Sequence, residues 1–420
     1  MNPLRSCTLP LALVFASPLP AVAEIFGDSS ASLQLRNYYF DSDYRNAPTI
    51  GQPVSRQREW AQGAILDFRS GYSDTPLGLG FDLLGMSALR LDSAPGRSGT
   101  GLLKRTDEGR AQSGYSKGVA TAKLRLGRTE LKVGGHSPMV PVLITPPVRM
   151  FSPVFRGTEL SSRDLEGWTF TLSSLDRIMG RDDDRFEKMK MASPFGRFQK
   201  AAEADRFDYL GAEYTPAKGI RLSYYHSRLE DIYRQDYLGA TIAQPLPLGQ
   251  LKHDIRFYDS GEDGKANAGR VDSQYIGLMS NWSVGAHTLG AGYYRVSGDT
   301  GMPGISGTVL SVHSEGALVS DMVNRNERHW QLNYQYDFSA IGFPGLSARL
   351  RYLRGDNIDI PALQSGDAHE SERYLQLSYV VQEGPLRGVA FNVRNSSYHS
   401  SFARDVNQTR INIDYSFKLW

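Results

Sequence analysis

The feature that most restricts what this chain can become is a two-residue rhythm of apolar and polar side chains. In Trp330-Gln331-Leu332-Asn333-Tyr334-Gln335-Tyr336-Asp337-Phe338 every even position is large and apolar, and every odd one is polar. A period of two is the signature of an extended strand whose faces meet different surroundings. The C-terminal segment repeats it, with Ile411, Ile413, Tyr415, Phe417 and Leu419 alternating with Asn412, Asp414, Ser416 and Lys418. Leu375, Leu377, Tyr379 and Val381 alternate with Tyr374, Gln376 and Ser378, and Ile220, Leu222 and Tyr224 with Arg221, Ser223 and Tyr225. Such two-faced strands occur in soluble sandwiches and in membrane barrels, so the rhythm alone leaves both open.

Length, aromatic placement and connections separate them. The alternating segments run to about 10 residues, beyond the usual 5–6 of globular strands and close to the 9–11 that cross a bilayer at a tilt. Tyrosines pair toward segment ends, as in Tyr38-Tyr39, Tyr224-Tyr225 and Tyr293-Tyr294, consistent with interfacial girdles. Tight turns such as Gly127-Arg128-Thr129 and Gly342-Phe343-Pro344-Gly345 contrast with long connections over Ser93–Arg110, Ser137–Arg163, Arg181–Asp205 and Asp299–Glu327. Short turns at one end and long loops at the other are the asymmetry of outer-membrane barrels. The segments number about eighteen, from near Ala31 to Leu419, and an open sheet edge is untenable in hydrocarbon. The expected fold is therefore all-β: a closed, antiparallel, transmembrane β-barrel of about 18 strands.

The N-terminus reads as an address. Arg5 opens it, an apolar run follows from Leu9 to Phe15, and Ala21-Val22-Ala23 supplies a small-x-small cleavage pattern. Residues 1–23 are expected to be a signal peptide and 24–420 the barrel. The single cysteine, Cys7, lies in the leader, so the mature chain has neither a disulfide framework nor a thiol nucleophile. No later stretch is long and apolar enough for a transmembrane helix. With 47 basic against 45 acidic residues, no bulk affinity for nucleic acid is implied. The expected location is the outer membrane of a Gram-negative bacterium.

The polar face is rich in cations. Lys123 and Arg125 flank Leu124, Arg349 and Arg351 flank Leu350, and Arg394 follows Val393. Arg221 precedes Leu222, Arg256 separates Ile255 from Phe257, and Arg36 follows Leu35. A cation facing lipid near the midplane costs about 2–4 kcal/mol, so these side chains are expected in a wet lumen, where a positive track draws anions. The bland alternative is that they pair with lumen carboxylates such as Asp337 and Asp414 and brace the wall. The Ser137–Arg163 segment is unusually apolar for an external loop, with Pro138-Met139-Val140-Pro141-Val142-Leu143 followed by Phe151 and Phe155. Folding it into the lumen buries it and narrows the pore, making Arg149 and Arg156 candidate constriction residues.

Ordered matches then point to a family. They include Leu35-Arg36-Asn37-Tyr38-Tyr39-Phe40, Arg58-Glu59-Trp60-Ala61-Gln62-Gly63, Met139-Val140-Pro141-Val142-Leu143, Ser297-Gly298-Asp299-Thr300-Gly301-Met302-Pro303 and Arg351-Tyr352-Leu353-Arg354-Gly355-Asp356-Asn357. On these the mature chain resembles the OprD family of substrate-specific porins along its whole length. The resemblance implies an eighteen-stranded barrel, monomeric or loosely trimeric, with constriction loops at Ser137–Arg163 and Asp299–Glu327. It also implies a ladder of arginines, here Arg349, Arg351, Arg394 and Arg125, that guides a substrate carboxylate. After Met302-Pro303 the sequence departs from the family pattern, leaving aromatic acids, other organic carboxylates and amino acids as substrate classes. The expected partners are small carboxylate solutes and the surrounding outer-membrane lipid and lipopolysaccharide, with no cofactor.

Two other functions have a foothold in the residues. Gly114-Tyr115-Ser116-Lys117-Gly118 fits a G-x-S-x-G esterase pattern, but that motif needs a strand-to-helix turn and Val119–Leu126 reads as strand. A closed structural or adhesive barrel is the other, and bilayer conductance separates it from a pore. The eight histidines lack paired metal-ligand spacing, and Asp182-Asp183-Asp184 lacks calcium-loop spacing.

Overall fold

Residues 25–46, 54–199, 201–310, 318–363 and 365–420 are described by a computed structural model. The expected signal peptide, residues 1–23, lies outside them. Eighteen strands form a single sheet, each antiparallel to its neighbours in sequence. In chain order they are β1 Ser30–Arg45, β2 Arg56–Arg69, β3 Gly78–Asp92, β4 Gly114–Leu126, β5 Thr129–His136 and β6 Val154–Ser162. Then come β7 Trp168–Met179, β8 Phe207–Ala217, β9 Ile220–Leu229, β10 Tyr233–Pro245, β11 Gln250–Glu262 and β12 Asp272–Val284. The last six are β13 His287–Ser297, β14 Arg328–Asp337, β15 Leu346–Ile360, β16 Ser365–Val380, β17 Ala390–Ser400 and β18 Asp405–Lys418. The first strand pairs with the last in unbroken register from Ser32↔Lys418 to Arg45↔Asp405, which closes the barrel.

The alternation lands where hydrophobicity requires. Leu210, Leu238, Leu278, Leu332, Leu350 and Leu375 are among the large apolar side chains left exposed on the outer surface. In water this would be an aggregation hazard; in lipid it is the solvated state of the fold. The paired tyrosines divide between the faces, because consecutive strand residues point oppositely. Tyr224 and Tyr293 lie exposed, whereas Tyr38, Tyr225 and Tyr294 are buried inside. Only half of each pair can therefore serve a girdle.

The inner tyrosines form a continuous band. Tyr225, Tyr237, Tyr258 and Tyr275 stand in one register row across β9–β12, with successive ring centroids 6.3, 4.7 and 5.7 Å apart. Glycine opposite or beside them gives the rings room to lie against the wall. A Cβ on Gly211 would sit 2.1 Å from the Tyr225 ring, and one on Gly239 2.0 Å from the Tyr237 hydroxyl.

Turns of two residues join β4 to β5, β8 to β9 and β12 to β13 at one end, which by its short connections is periplasmic. The opposite end carries the connections 93–113, 137–153, 180–206 and 298–327. The apolar loop expected over Ser137–Arg163 ends at Pro153, because Val154–Ser162 pairs into the wall as β6.

Exchanging Leu238 for arginine, on the lipid face of β10, is expected to lower stability by about 2–4 kcal/mol. Denaturant unfolding in detergent or lipid measures this, and Ser223→Arg, which turns into the lumen, serves as the comparison with a much smaller loss.

Candidate functional site

Three of the long connections fold inward and lace together. In 137–153 a miniature hairpin pairs Met139–Val140 with Leu143–Ile144, and Ile144 bridges to Val309 of the 298–327 connection. In 180–206, Met189–Lys190 pairs with Glu203–Ala204, and Met191 bridges to Ile305. Leu143, Met189, Met191, Phe198 and Ile305 are buried where these loops meet the tyrosine band, and the Tyr258 hydroxyl donates to the Pro141 carbonyl at 3.1 Å. Burial of apolar loop side chains on an aromatic wall supplies the inward pull. The 180–206 connection had no visible claim to this role, since its charged Arg181–Arg185 stretch masks the methionines and Phe198 that follow.

What the loops leave open is a cavity of about 690 Å³. Its lining includes Arg149, Arg221, Arg256, Arg349, Arg351 and Arg394, six of the ten cations singled out in the sequence. Arg181 and Arg410 join them. Arg410 was legible, because the alternation of β18 extended one step before Ile411 places it inward; Arg181 sits on a loop and no periodicity reports on it. A second cavity of about 290 Å³ shares Asp254, Arg256, Arg349 and Arg351 and continues the opening past Lys252, Thr288 and Gln335.

The remaining four cations are elsewhere. Arg36 is buried against Asp414 at 2.5 Å and donates to the carbonyls of Arg149 and Met150, both at 3.1 Å, so it anchors the 137–153 loop. Lys123 is buried between Asp82 at 2.7 Å and the Ser70 carbonyl at 2.9 Å. Arg125 lies over the Tyr72 ring, 4.0 Å from its centroid, beside the β4–β5 turn. Arg156 belongs to β6 rather than to the constriction loop, and it pairs with Asp176 at 2.5 Å.

Partners divide the cavity cations into two kinds. Arg256 is neutralised by Asp254 at 2.7 Å. Arg349 instead donates twice to the Gln335 side-chain carbonyl, at 3.0 and 2.6 Å. Arg394 donates to Tyr38 and Asn412, at 3.0 and 2.7 Å. Arg410 donates to Gln408 and to the Leu318 carbonyl, at 2.8 and 2.7 Å. Neutral acceptors orient a guanidinium without cancelling its charge. Arg349, Gln376, Arg394 and Arg410 occupy one register row across β15–β18. The row ends at Phe40, whose ring centroid lies 4.8 Å from both Arg410 and Arg149. Burial, and then the neighbouring Arg410, hold Arg149 well below the ordinary arginine range. Glu372, the carboxylate near Arg410, accepts from the Leu318 and Val319 amides, and crowded cations with no ion pair of their own favour an incoming anion.

The acidic groups in the cavity have different surroundings. Asp254 is paired with Arg256, Glu213 accepts from the Tyr225 hydroxyl at 2.9 Å, and Asp321 lies in the field of Arg197 and Arg181. Ser116 is exposed on the outward face of β4, its hydroxyl 2.9 Å from that of Ser87, and no strand-to-helix turn follows it.

A closed barrel with a lipid-facing apolar surface, inward loops and a polar lumen defines the chain as an outer-membrane porin. It matches the model of the family described as "outer membrane porin, OprD family" over residues 23–419, and it belongs to that family. The porin-like protein GalP of Pseudomonas putida is 31% identical over 97% of both chains. The crystal structure of Pseudomonas aeruginosa OccK9 (OpdG) superposes with a TM-score of 0.89 at 37% identity, covering 94% of this chain and all of that one. The structure of Pseudomonas aeruginosa OpdK with vanillate gives 0.87 at 32% identity, with 94% and 100% covered.

Replacing the Arg36–Asp414 pair by Met and Asn removes the loop anchor without stranding a buried charge. Single-channel recordings are expected to show larger, noisier conductance for the double variant, with the barrel still folded.

Proposed function

We propose that the chain conducts small organic carboxylates passively, with aromatic acids preferred over basic amino acids, after export directed by a leader over residues 1–23. The observation that carries this reading is the row Arg349–Arg394–Arg410, oriented by neutral partners, in a cavity that Val140, Ile144 and Val148 also line. Cations on one side and apolar loop on another suit a solute with a carboxylate at one end and a flat apolar body. Vanillate, held by the related OpdK, is such a molecule.

Adjacent strands are about 4.8 Å apart. A carboxylate, with two oxygens, can therefore meet Arg410 before leaving Arg394, its neighbour on the adjacent strand, while Gln376 on β16 stands between Arg394 and Arg349. Several moderate sites in series serve conduction better than one deep site, because the solute must also depart. Basic amino acids are the poorer fit, since Asp254 is paired with Arg256, Asp321 lies in the field of Arg197 and Arg181, and Glu213, held by a neutral hydroxyl, is outnumbered by the arginines of the cavity.

Liposome swelling with benzoate, vanillate, succinate and arginine tests the reading. Exchanging Arg349 and Arg394 together for alanine removes two charge-assisted contacts and is expected to cut benzoate and vanillate flux about tenfold or more. Arginine flux should hold or rise, and the advantage of the parent protein for anions should shrink at high salt. Faster passage of arginine than of benzoate through the parent protein refutes the preference.

A further inference from the structure

A second group of arginines faces the other way. Arg295 on β13, Arg328 on β14, Arg354 on β15 and Arg373 on β16 share strand parity with the exposed, lipid-facing Tyr293, Leu332, Leu350 and Leu375. All four are exposed. Register brings them together: Arg295 stands opposite Arg328, Trp330 opposite Arg354, and Tyr352 opposite Arg373. On each strand the arginine lies next to the aromatic or leucine that ends the apolar band, on the side of the long connections. With strands about 4.8 Å apart and a stagger of two residues at each of the last two steps, the four span about 20 Å.

Their pairing sets them apart. At the same end of the barrel, Arg156 is held by Asp176 at 2.5 Å, Arg206 by Asp208 at 3.2 Å and Arg228 by Asp263 at 2.7 Å. In the β13–β16 group Arg328 meets Asp356 at 2.9 Å. Arg295, Arg354 and Arg373 have no carboxylate partner among the described residues.

The cluster also borders an apolar depression of about 740 Å³ on the outer face, lined by Leu289, Ala291, Leu332, Leu350, Tyr352 and Arg373 among others. A cationic rim above an apolar furrow is complementary to an acylated anion. Trp330 and Tyr352, with ring centroids 5.4 Å apart, lie between, as aromatic rings do at the headgroup boundary. A second copy of the chain fits poorly, because a symmetric contact here sets arginine against arginine.

We propose that this face is a binding site for the phosphorylated, acylated disaccharide of the outer leaflet, lipid A, with its phosphate on Arg354 and Arg373 and an acyl chain in the furrow. The arginines supply charge-assisted contacts at the interface, where a lipid-facing cation costs little. The site is separate from the lumen and does not depend on which solute passes.

Native mass spectrometry of the purified full-length porin in detergent, titrated with lipid A, provides the test. The parent protein is expected to retain a lipid A adduct at a concentration about tenfold or more below that needed by Arg354→Ala/Arg373→Ala. Arg206→Ala should behave like the parent, and the double variant should keep the parent's heat-modified gel mobility and single-channel conductance. On the parent protein, dephosphorylated lipid A and phosphatidylglycerol should bind at least tenfold more weakly, a comparison that needs no variant. Equal retention of lipid A by the double variant overturns the proposal. So does equal binding of either control lipid.

Discussion

The structure depends on a constraint of solvent rather than on any side chain: inside hydrocarbon, every backbone amide and carbonyl must be satisfied within the protein. An antiparallel sheet does this for all strands except its two edges. Pairing of β1 with β18, residue by residue from Ser32 to Arg45, removes those edges. Closure then divides space into lipid and lumen, and the two-residue rhythm assigns each side chain to one or the other. Leucines that would be a liability in water are at home in lipid, and the arginines that lipid would reject near the midplane turn inward to polar partners.

Closure also creates a wide lumen that the loops must narrow. A tyrosine band on β9–β12 lines one arc, and apolar loop residues pack on it. Arg36, paired with Asp414, holds the 137–153 loop by its carbonyls. The arc β15–β18, a third of the way round the barrel, keeps its cations facing the opening. The result is an asymmetric constriction, apolar on one side and positive on the other, and its chemistry follows from which arc the loops cover.

The arginines show how little residue type alone reveals. Arg36, Arg256 and Arg394 all sit on inward strand positions. Arg36 and Arg256 are neutralised by Asp414 and Asp254, while Arg394 is steered by a tyrosine and an asparagine. The bracing role that the sequence left open belongs to the first two, and the uncompensated charge belongs to the third. Arg354 and Arg373, one residue out of phase with Arg351 and Tyr374, lie outside altogether.

By itself, the sequence determined the number and hand of the faces. Alternation is local, so it survives without knowledge of partners, and it placed Leu332, Arg349, Arg351 and Arg394 on their proper sides. It also marked the 137–153 segment as too apolar for external water. Only the tertiary structure decided which inward cations are paired with a carboxylate, that 154–162 turns from loop into wall, and that 180–206 joins the constriction. Those outcomes depend on cross-strand register and on loop contacts between residues far apart in the chain, and neither leaves a periodic trace.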